Sequence, residues 1–377
     1  MNLAPARSAA FGALLAVERG AWSAEALAIK CEQLDSRDAG LASDVVFGVL
    51  RRRGQLDAFT QHYTDRDPAT FDPGVRTALQ MAFYQLHFLD RVPPHAIVND
   101  AVELTRRSGK PQAAAMVNAV LRRCLREPWK ARESLATPYW ISARWTARYG
   151  APVAQAIAHA SLNVPERFIR VGSATPPEGA EPTEIPGCFR LHEGSSAGLR
   201  FQDIGSQSVV RLMGLATGQW FLDLCAAPGN KTAQAMESGV HAMACELHFS
   251  RAQMLRSLGI PILLADATLP LPLSRRFDRI LADVPCSGTG TLARNPEIKW
   301  RLDAGDIADL ARRQAAILRN GLALLAPGGR LIYSTCSLER EENEDVVRAS
   351  GARILETMTR IPGQDAGDGF FAAVLTV

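Results

Sequence analysis

From Phe201 onward, apolar runs of four to six residues alternate with stretches patterned for helices, and several runs end on an acid or a cysteine. That alternation is the signature of βαβ units on a parallel sheet. It confines the chemistry of the back half to the carboxyl ends of the strands, where such sheets bind their ligands. Trp220-Phe221-Leu222-Asp223-Leu224 reads as the first strand; it breaks at Cys225-Ala226-Ala227-Pro228-Gly229-Asn230-Lys231-Thr232 and resumes as a helix. Small residues at such a turn let backbone N–H groups approach a ligand at the helix N-terminus. A P-loop would need glycine at positions 225 and 230, which hold Cys and Asn, and the G-x-G-x-x-G fingerprint is absent. Ala242-Met243-Ala244-Cys245-Glu246 ends a second strand on an acid placed to accept hydrogen bonds from ribose hydroxyls. Ile262-Leu263-Leu264-Ala265-Asp266 ends a third on an acid placed to meet an adenine edge. Either acid alone reads equally well as a helix cap. In series they suit a nucleoside cofactor without a pyrophosphate, S-adenosylmethionine more than NAD.

Two cysteines close later strands. Cys286 sits in Ala282-Asp283-Val284-Pro285-Cys286-Ser287-Gly288-Thr289-Gly290, and Cys336 in Tyr333-Ser334-Thr335-Cys336-Ser337. At the carboxyl ends of neighbouring strands both thiols would face one crevice, where a thiolate adds to an electron-poor carbon and a second thiol serves a later step. The bland alternative is a pair of ordinary buried cysteines.

The first 135 residues read as helical. Val75, Leu79, Ala82, Leu86 and Leu89 recur at helical spacing, as do Ala114, Val117, Leu121 and Leu125, with Pro and Gly between such segments. His62, His87 and His95 read as packing or surface residues. The net charge of +3 conceals a basic front half, where Arg106, Arg107, Lys110, Arg122, Arg123, Arg126, Lys130 and Arg132 are opposed over the same stretch only by Glu127. Such a stripe suits a phosphate backbone, or is simply a solvated helix face. With 377 residues, 47% of them hydrophobic and 21% charged, the chain has a two- or three-domain length and ordinary cores. Seven cysteines without C-x-x-C spacing give no metal site and point to a reduced, cytoplasmic compartment. The opening Met1-Asn2-Leu3-Ala4-Pro5-Ala6-Arg7 runs straight into an amphipathic segment, so no signal peptide is expected. The bridge from about 136 to 200 begins helical at Tyr139-Trp140-Ile141 and turns loop-like at Pro176-Pro177-Glu178-Gly179 and Gly194-Ser195-Ser196.

Phe47-Gly48-Val49-Leu50-Arg51-Arg52-Arg53, Tyr84-Gln85-Leu86-His87-Phe88-Leu89-Asp90 and Met116-Val117-Asn118-Ala119-Val120-Leu121 resemble the NusB-type RNA-binding helical domain. The run from Phe201 to the end resembles the RsmB/Sun-type RNA 5-methylcytosine methyltransferases. The residues that carry this match are Gln202-Asp203-Ile204-Gly205-Ser206-Gln207, the Cys225–Thr232 loop, Asp283–Gly290, Asn295-Pro296-Glu297-Ile298-Lys299-Trp300-Arg301, and Ala326-Pro327-Gly328-Gly329 through Cys336 to Glu341-Glu342-Asn343-Glu344. The resemblance implies an all-α NusB-like bundle over 1–135, a bridging RNA-contacting subdomain over 136–200, and an α/β Rossmann-like, S-adenosylmethionine-dependent methyltransferase domain over 201–377. It implies a monomer that acts on RNA, 16S ribosomal RNA by carry-over, without DNA or membrane. It assigns the attack on cytosine C6 to Cys336, assistance in release to Cys286, and contact with base and cofactor to Asp283, with Lys231 as the loop cation. Cofactor contacts are implied for Cys225, Ala226, Ala227, Pro228, Gly229, Asn230 and Lys231, and for Glu246, Asp266 and Asp283. Arg294, Lys299, Trp300 and Arg301 follow the Cys286 motif and are expected to line the RNA path, or, for Trp300, to pack its helix onto the sheet.

Asn230 departs from the family's second loop glycine, and Gly172–Gly198 is short for an RNA-contacting subdomain. The rival from another class is a non-catalytic RNA-binding factor for ribosome assembly or antitermination, which retention of Cys286, Cys336, Asp283 and Lys231 opposes. An amino-group methyltransferase would instead show N-P-P-Y or D-P-P-Y where this chain has Asp283-Val284-Pro285-Cys286.

Overall fold

In a computed structural model, which describes residues 3–192 and 198–377, the chain forms two compact units. The loop expected at Gly194-Ser195-Ser196 lies outside the described residues, as do Met1 and Asn2. The first unit takes in Met1–Leu162 and also Asn295–Arg301; the second takes in Asn163–Arg294 and Leu302–Val377.

Among the described residues, eight helices and one further short helix within Asn295–Arg301 build the first unit; the eight are α1 (Pro5–Glu18), α2 (Ser23–Cys31), α3 (Ser36–Thr64), α4 (Pro73–Phe88), α5 (Pro94–Arg107), α6 (Ala114–Arg126), α7 (Tyr139–Tyr149) and α8 (Ala151–Ala160). Their starts follow local chemistry. The Asp35 carboxylate caps α3 by accepting from Asp38 N, and Asp72 does the same for α4 through Gly74 N, with Pro73 in the first turn. Of the apolar positions read from spacing, Val75, Leu79, Ala82, Ala114, Val117 and Leu121 are buried, Leu86 and Leu89 are half-buried against that core, and Leu125 is exposed. His87 stacks on Phe59 with ring centroids 4.1 Å apart and His62 on Trp129 at 4.4 Å, so both pack as expected.

The second unit opens with four short strands, β1 (Phe168–Arg170), β2 (Ala180–Pro182), β3 (Cys188–Leu191) and β4 (Arg200–Phe201), in an antiparallel sheet of order β2-β3-β1-β4. The Pro- and Gly-rich stretch that reads as loop therefore carries a small sheet, closed by buried Phe168, Ile185 and Cys188 on one side and by Ile169, Val171 and Leu191 on the other. The helices α7 and α8, within the expected bridge, instead belong to the first unit.

Then follow α9 (Ile204–Arg211), β5 (Trp220–Asp223), α10 (Asn230–Met236), β6 (His241–Glu246), α11 (Phe249–Ala252), β7 (Ile262–Leu264), β8 (Phe277–Asp283), α12 (Ile298–Arg301, in the first unit), α13 (Ala304–Ala323), β9 (Leu325–Thr335), α14 (Glu344–Ala349), β10 (Arg353–Arg360) and β11 (Phe370–Thr376). Seven of these strands make one sheet of order β10-β11-β9-β8-β5-β6-β7. Strands β5 to β9 pair in parallel, whereas β11 runs antiparallel to both neighbours. The chain winds outward from β5 to β7 on one side and from β8 to β9 on the other, so the order reverses between β5 and β8. A doubly wound sheet opens its ligand crevice at such a reversal, beyond the strand ends. Helix α13, started by a capping box between Asp303 and Asp306, packs closely on the sheet at Gly321, where a Cβ would sit 2.8 Å from both Leu224 and Leu331.

Candidate active site

Every strand end at the reversal carries a chemically active residue. Asp223 ends β5, Glu246 ends β6, Asp266 lies just past β7, Asp283 ends β8 and Cys336 follows β9. The pairing of β8 with β9 sets Asp283 opposite Ser334, so the two cysteine loops leave the sheet side by side. Between them lies a cavity of about 390 Å³ whose walls include Cys225, Ala227, Glu246, Asp266, Asp283, Cys286 and Cys336. That volume is in the range of small-molecule sites, roughly 300–1,000 Å³.

The two thiols are in direct contact. Cys286 Sγ and Cys336 Sγ are 3.4 Å apart, and both residues are part-exposed. The hydrogen bond with Cys336, and then burial, push the Cys286 thiol well above the ordinary cysteine range. A raised pKa keeps Cys286 protonated at neutral pH, and either sulfur can serve as donor in the contact. Beside them Lys231 Nζ lies 2.7 Å from Asp283 Oδ2, and Ser334 Oγ donates to Asp283 Oδ1 at 2.7 Å. Burial opposes the charged form of Lys231, but Asp283 outweighs it and holds the ammonium pKa above the usual lysine range.

The acids divide into a framework and a lining. Asp223 is buried beneath the loop; it accepts from Thr232 Oγ1 at 2.6 Å and from Cys225 N at 3.3 Å, and burial pushes its carboxyl up to about 7. Glu246 accepts from Ala227 N and His248 N, fixing the mouth of the loop. Asp266 Oδ1 accepts from the N–H and hydroxyl of Thr268, and the side chain faces the cavity. Burial and then the carboxylates of Asp223 and Asp283 raise the Cys225 thiol well above its ordinary pKa, a sign of the negative potential here. The wall carboxylates of Glu246 and Asp266 can accept from a nucleoside's hydroxyls and amine, with Arg251 and Arg313 in the same wall offsetting their charge. S-adenosylmethionine, a sulfonium on an adenosine, fits its volume and its strand-end acids.

Of the loop residues expected to hold cofactor, Cys225 and Ala227 line the cavity, while Ala226, Pro228, Gly229, Asn230 and Lys231 are not among its wall residues. The left-handed residue of the loop is Gly229, at φ +101°, where a Cβ would meet Leu255 at 2.9 Å. Asn230 opens α10 in ordinary helical geometry and donates its side-chain amide to Phe201 O, so the departure from glycine falls where glycine is not required. The cavity also takes in His248, Arg251, Thr268 and Arg313, which sequence pattern did not single out.

The residues expected along the RNA path, Arg294, Lys299, Trp300 and Arg301, each hold partners within the chain. Arg294 is held by Asp368 at 2.6 Å and Asp203 at 3.0 Å. The other three belong to the helical unit. Lys299 Nζ donates to Arg51 O at 2.7 Å, Trp300 Nε1 to Leu50 O at 2.6 Å, and Arg301 to the carbonyls of Val17 and Ala21. Trp300 therefore does not pack on the sheet. Of the four only Lys299 is buried; Arg294 and Trp300 are half-buried and Arg301 remains exposed.

The sheet order, the acids in series and the cavity define a Rossmann-like, S-adenosylmethionine-dependent methyltransferase, here with two thiols at its floor. The family model described as 16S rRNA methyltransferase RsmB/F matches residues 210–353, and the NusB family model matches 4–126. A probable ribosomal RNA small subunit methyltransferase B of Bacillus subtilis is 30% identical, over 85% of this chain and 81% of that protein. Ribosomal RNA small subunit methyltransferase B of Salmonella typhi is 31% identical, over 96% of each. The crystal structure of PH0851 superposes over 100% of this chain and 99% of that one, with a TM-score of 0.84 at 21% identity. The chain belongs to the RsmB/F methyltransferase family, with a NusB-family domain ahead of the catalytic one.

Proposed function

We propose that this protein methylates C5 of a cytosine in small-subunit ribosomal RNA, with Cys336 as nucleophile and Cys286 as the thiol that assists release. The observation that carries the reading is the pair of sulfurs 3.4 Å apart in the wall of the cavity. Its relatives' names supply the ribosomal RNA.

Cytosine C5 is too weak a nucleophile to take a methyl group unaided. The Cys336 thiolate forms a bond to C6, and the ring's C5–C6 electron pair moves to C5, which becomes enamine-like. S-adenosylmethionine, which Glu246, Asp266 and the Cys225 loop would hold, would supply the electrophilic methyl that C5 takes as the sulfur–methyl bond breaks, leaving S-adenosylhomocysteine. Transfer of the C5 proton to solvent water returns the electron pair to the C5–C6 bond and expels Cys336 as thiolate. Cys286, protonated and in contact with the departing sulfur, supports that release. Asp283, oriented by Lys231 and Ser334, holds the N3/N4 edge of the base. A stacked cytosine hides C6, so the base must be extruded or lie in a loop.

The NusB-like bundle is the accessory RNA-binding element in this reading. Its basic stripe is partly self-paired: Arg106 and Arg107 face Glu103, Lys110 faces Asp72 and Arg123 faces Glu127, as exposed or half-exposed pairs that a phosphate backbone displaces at little cost. A monomer in the reducing cytoplasm accords with seven free cysteines.

Methyl transfer from labelled cofactor to RNA, with denaturing gels of the cysteine variants, tests the assignment. Cys336→Ala is expected to abolish transfer and Cys286→Ala to retain RNA in a retarded covalent species. Transfer by Cys336→Ala, or no retarded species for Cys286→Ala, overturns the division of roles. Bisulfite sequencing of RNA with and without the protein locates the base.

A further inference from the structure

Glu342 is fully buried in a short turn after β9, at 0% exposure, yet its hydrogen-bond partners are neutral side chains and one backbone N–H. Its Oε1 accepts from Ser287 N at 2.8 Å and from Gln314 Nε2 at 2.8 Å. Its Oε2 accepts from Ser337 Oγ at 2.5 Å and from Ser287 Oγ. Ser287 is the residue after Cys286, and Ser337 the residue after Cys336. One carboxylate therefore grips the residue following each thiol, from below, while Gln314 passes the same grip to the carbonyl of Pro285, the residue before Cys286. Tyr333 fixes the hub itself by donating to Glu342 O.

A buried carboxylate costs several kcal/mol unless donors surround it, and an apolar core would avoid that cost. Four donors from three residues compensate it here, and what the arrangement secures is the relative register of two loops that are 50 residues apart in sequence. We propose that Glu342 is a positioning residue for the two-thiol site, setting the Cys286–Cys336 separation through Ser287 and Ser337 without touching substrate. The inference rests on the reading of the cysteines given above, but its first consequence, thiol proximity, does not.

Phenylarsine oxide, which bridges two neighbouring thiols as arsenic–sulfur bonds form and the oxide oxygen leaves with both thiol protons as water, reads that proximity without RNA. The full chain is expected to take up one arsenic per protein, with Cys336→Ser as the negative control. In Glu342→Gln, which keeps the Oε1 acceptor but turns the other contact into a donor, arsenic capture is expected to be lost while S-adenosylhomocysteine binding and melting stay near native. kcat should fall about 100-fold, the cost of a misplacement near 1 Å, with KM for RNA and cofactor little changed. If Glu342→Gln fails to fold, the Ser287→Ala/Ser337→Ala double variant, which removes both hydroxyl links, must show the same split. Native arsenic capture in a folded variant overturns the inference, as does loss of cofactor binding in step with loss of capture. Lost capture with unchanged kcat upholds the positioning and overturns the catalytic role of the thiols.

Discussion

Gly290 donates its backbone N–H to the carbonyl oxygen of Cys336 at 2.9 Å, and its own carbonyl accepts from Gly369 N at 2.8 Å. The loop carrying Cys286 is thus bonded, backbone to backbone, to the strand end carrying Cys336. A Cβ at position 290 would lie 2.5 Å from Gly369 O and 2.8 Å from Cys336 O. The glycine that follows Cys286-Ser287-Gly288-Thr289 is there because a side chain would hold the two thiols apart.

Gly290→Ala should therefore act on the site and not only on the fold. The obstructing atoms are backbone carbonyls, which cannot swing aside, so overpacking of about 1–3 kcal/mol is expected in urea unfolding. Methyl transfer to RNA should fall much further than that loss of stability accounts for at assay temperature. A variant of near-native activity would show that the loop shifts without disturbing the sulfurs.

Cys286 should change reactivity when its neighbour is removed. The contact with Cys336 is the largest of the influences that raise its pKa, ahead of burial. With a raised pKa the thiol stays protonated through neutral and mildly alkaline pH, and only thiolate reacts with iodoacetamide. In Cys336→Ala the pKa should drop, so alkylation of Cys286 at pH 8, followed by peptide mass spectrometry, should be faster than in the parent chain. Equal rates in the two proteins would contradict the neighbouring sulfur as the main cause of the raised pKa.

Lys299 should make the helical unit more stable as pH rises above neutrality. It is 1% exposed, its hydrogen bond goes to a carbonyl, and burial, then Arg51 and Arg52, push its ammonium down to about 7. An unfolded lysine titrates near about 10.4. Between those values the unfolded chain holds a proton that the folded one has released, so stability climbs with pH from about 7 towards 10; below 7 both states are charged and the penalty is constant. Lys299→Met should be more stable than the parent chain at pH 7 and should lack part of the rise seen between pH 7 and 9. Calorimetric scans of the full chain at both pH values, showing the same rise for both proteins, would count against a neutralised buried lysine.

Much of the catalytic unit was legible in the sequence because strand ends announce themselves. Asp223, Glu246 and Asp283 each terminate an apolar run, and a parallel sheet sends all such ends to one edge. Asp266 and Cys336 come within two residues of theirs. What the sequence could not show was partnership. Arg294, Lys299, Trp300 and Arg301 have the composition of an RNA-binding stretch, yet each is spent on Asp203, Asp368 or a helix carbonyl from a distant part of the chain. Glu342 stood inside a recognised motif, but its function as a hub depends on Ser287 and Gln314, far away in sequence. The small antiparallel sheet was missed because its strands are two to four residues long and set among prolines and glycines, too short for a period to register.

The membership of Asn295–Arg301 in the helical unit has a practical corollary for dissecting this gene. An amino-terminal fragment stopped at Leu162 looks like a complete module on paper, but it would lack the Glu297 carboxylate that receives Ser23 N and Oγ, and the donors that now cover the carbonyls of Val17, Ala21, Leu50 and Arg51. Grafting the bundle onto another enzyme would require transplanting those seven residues as well, or replacing them with a clasp of equivalent polarity.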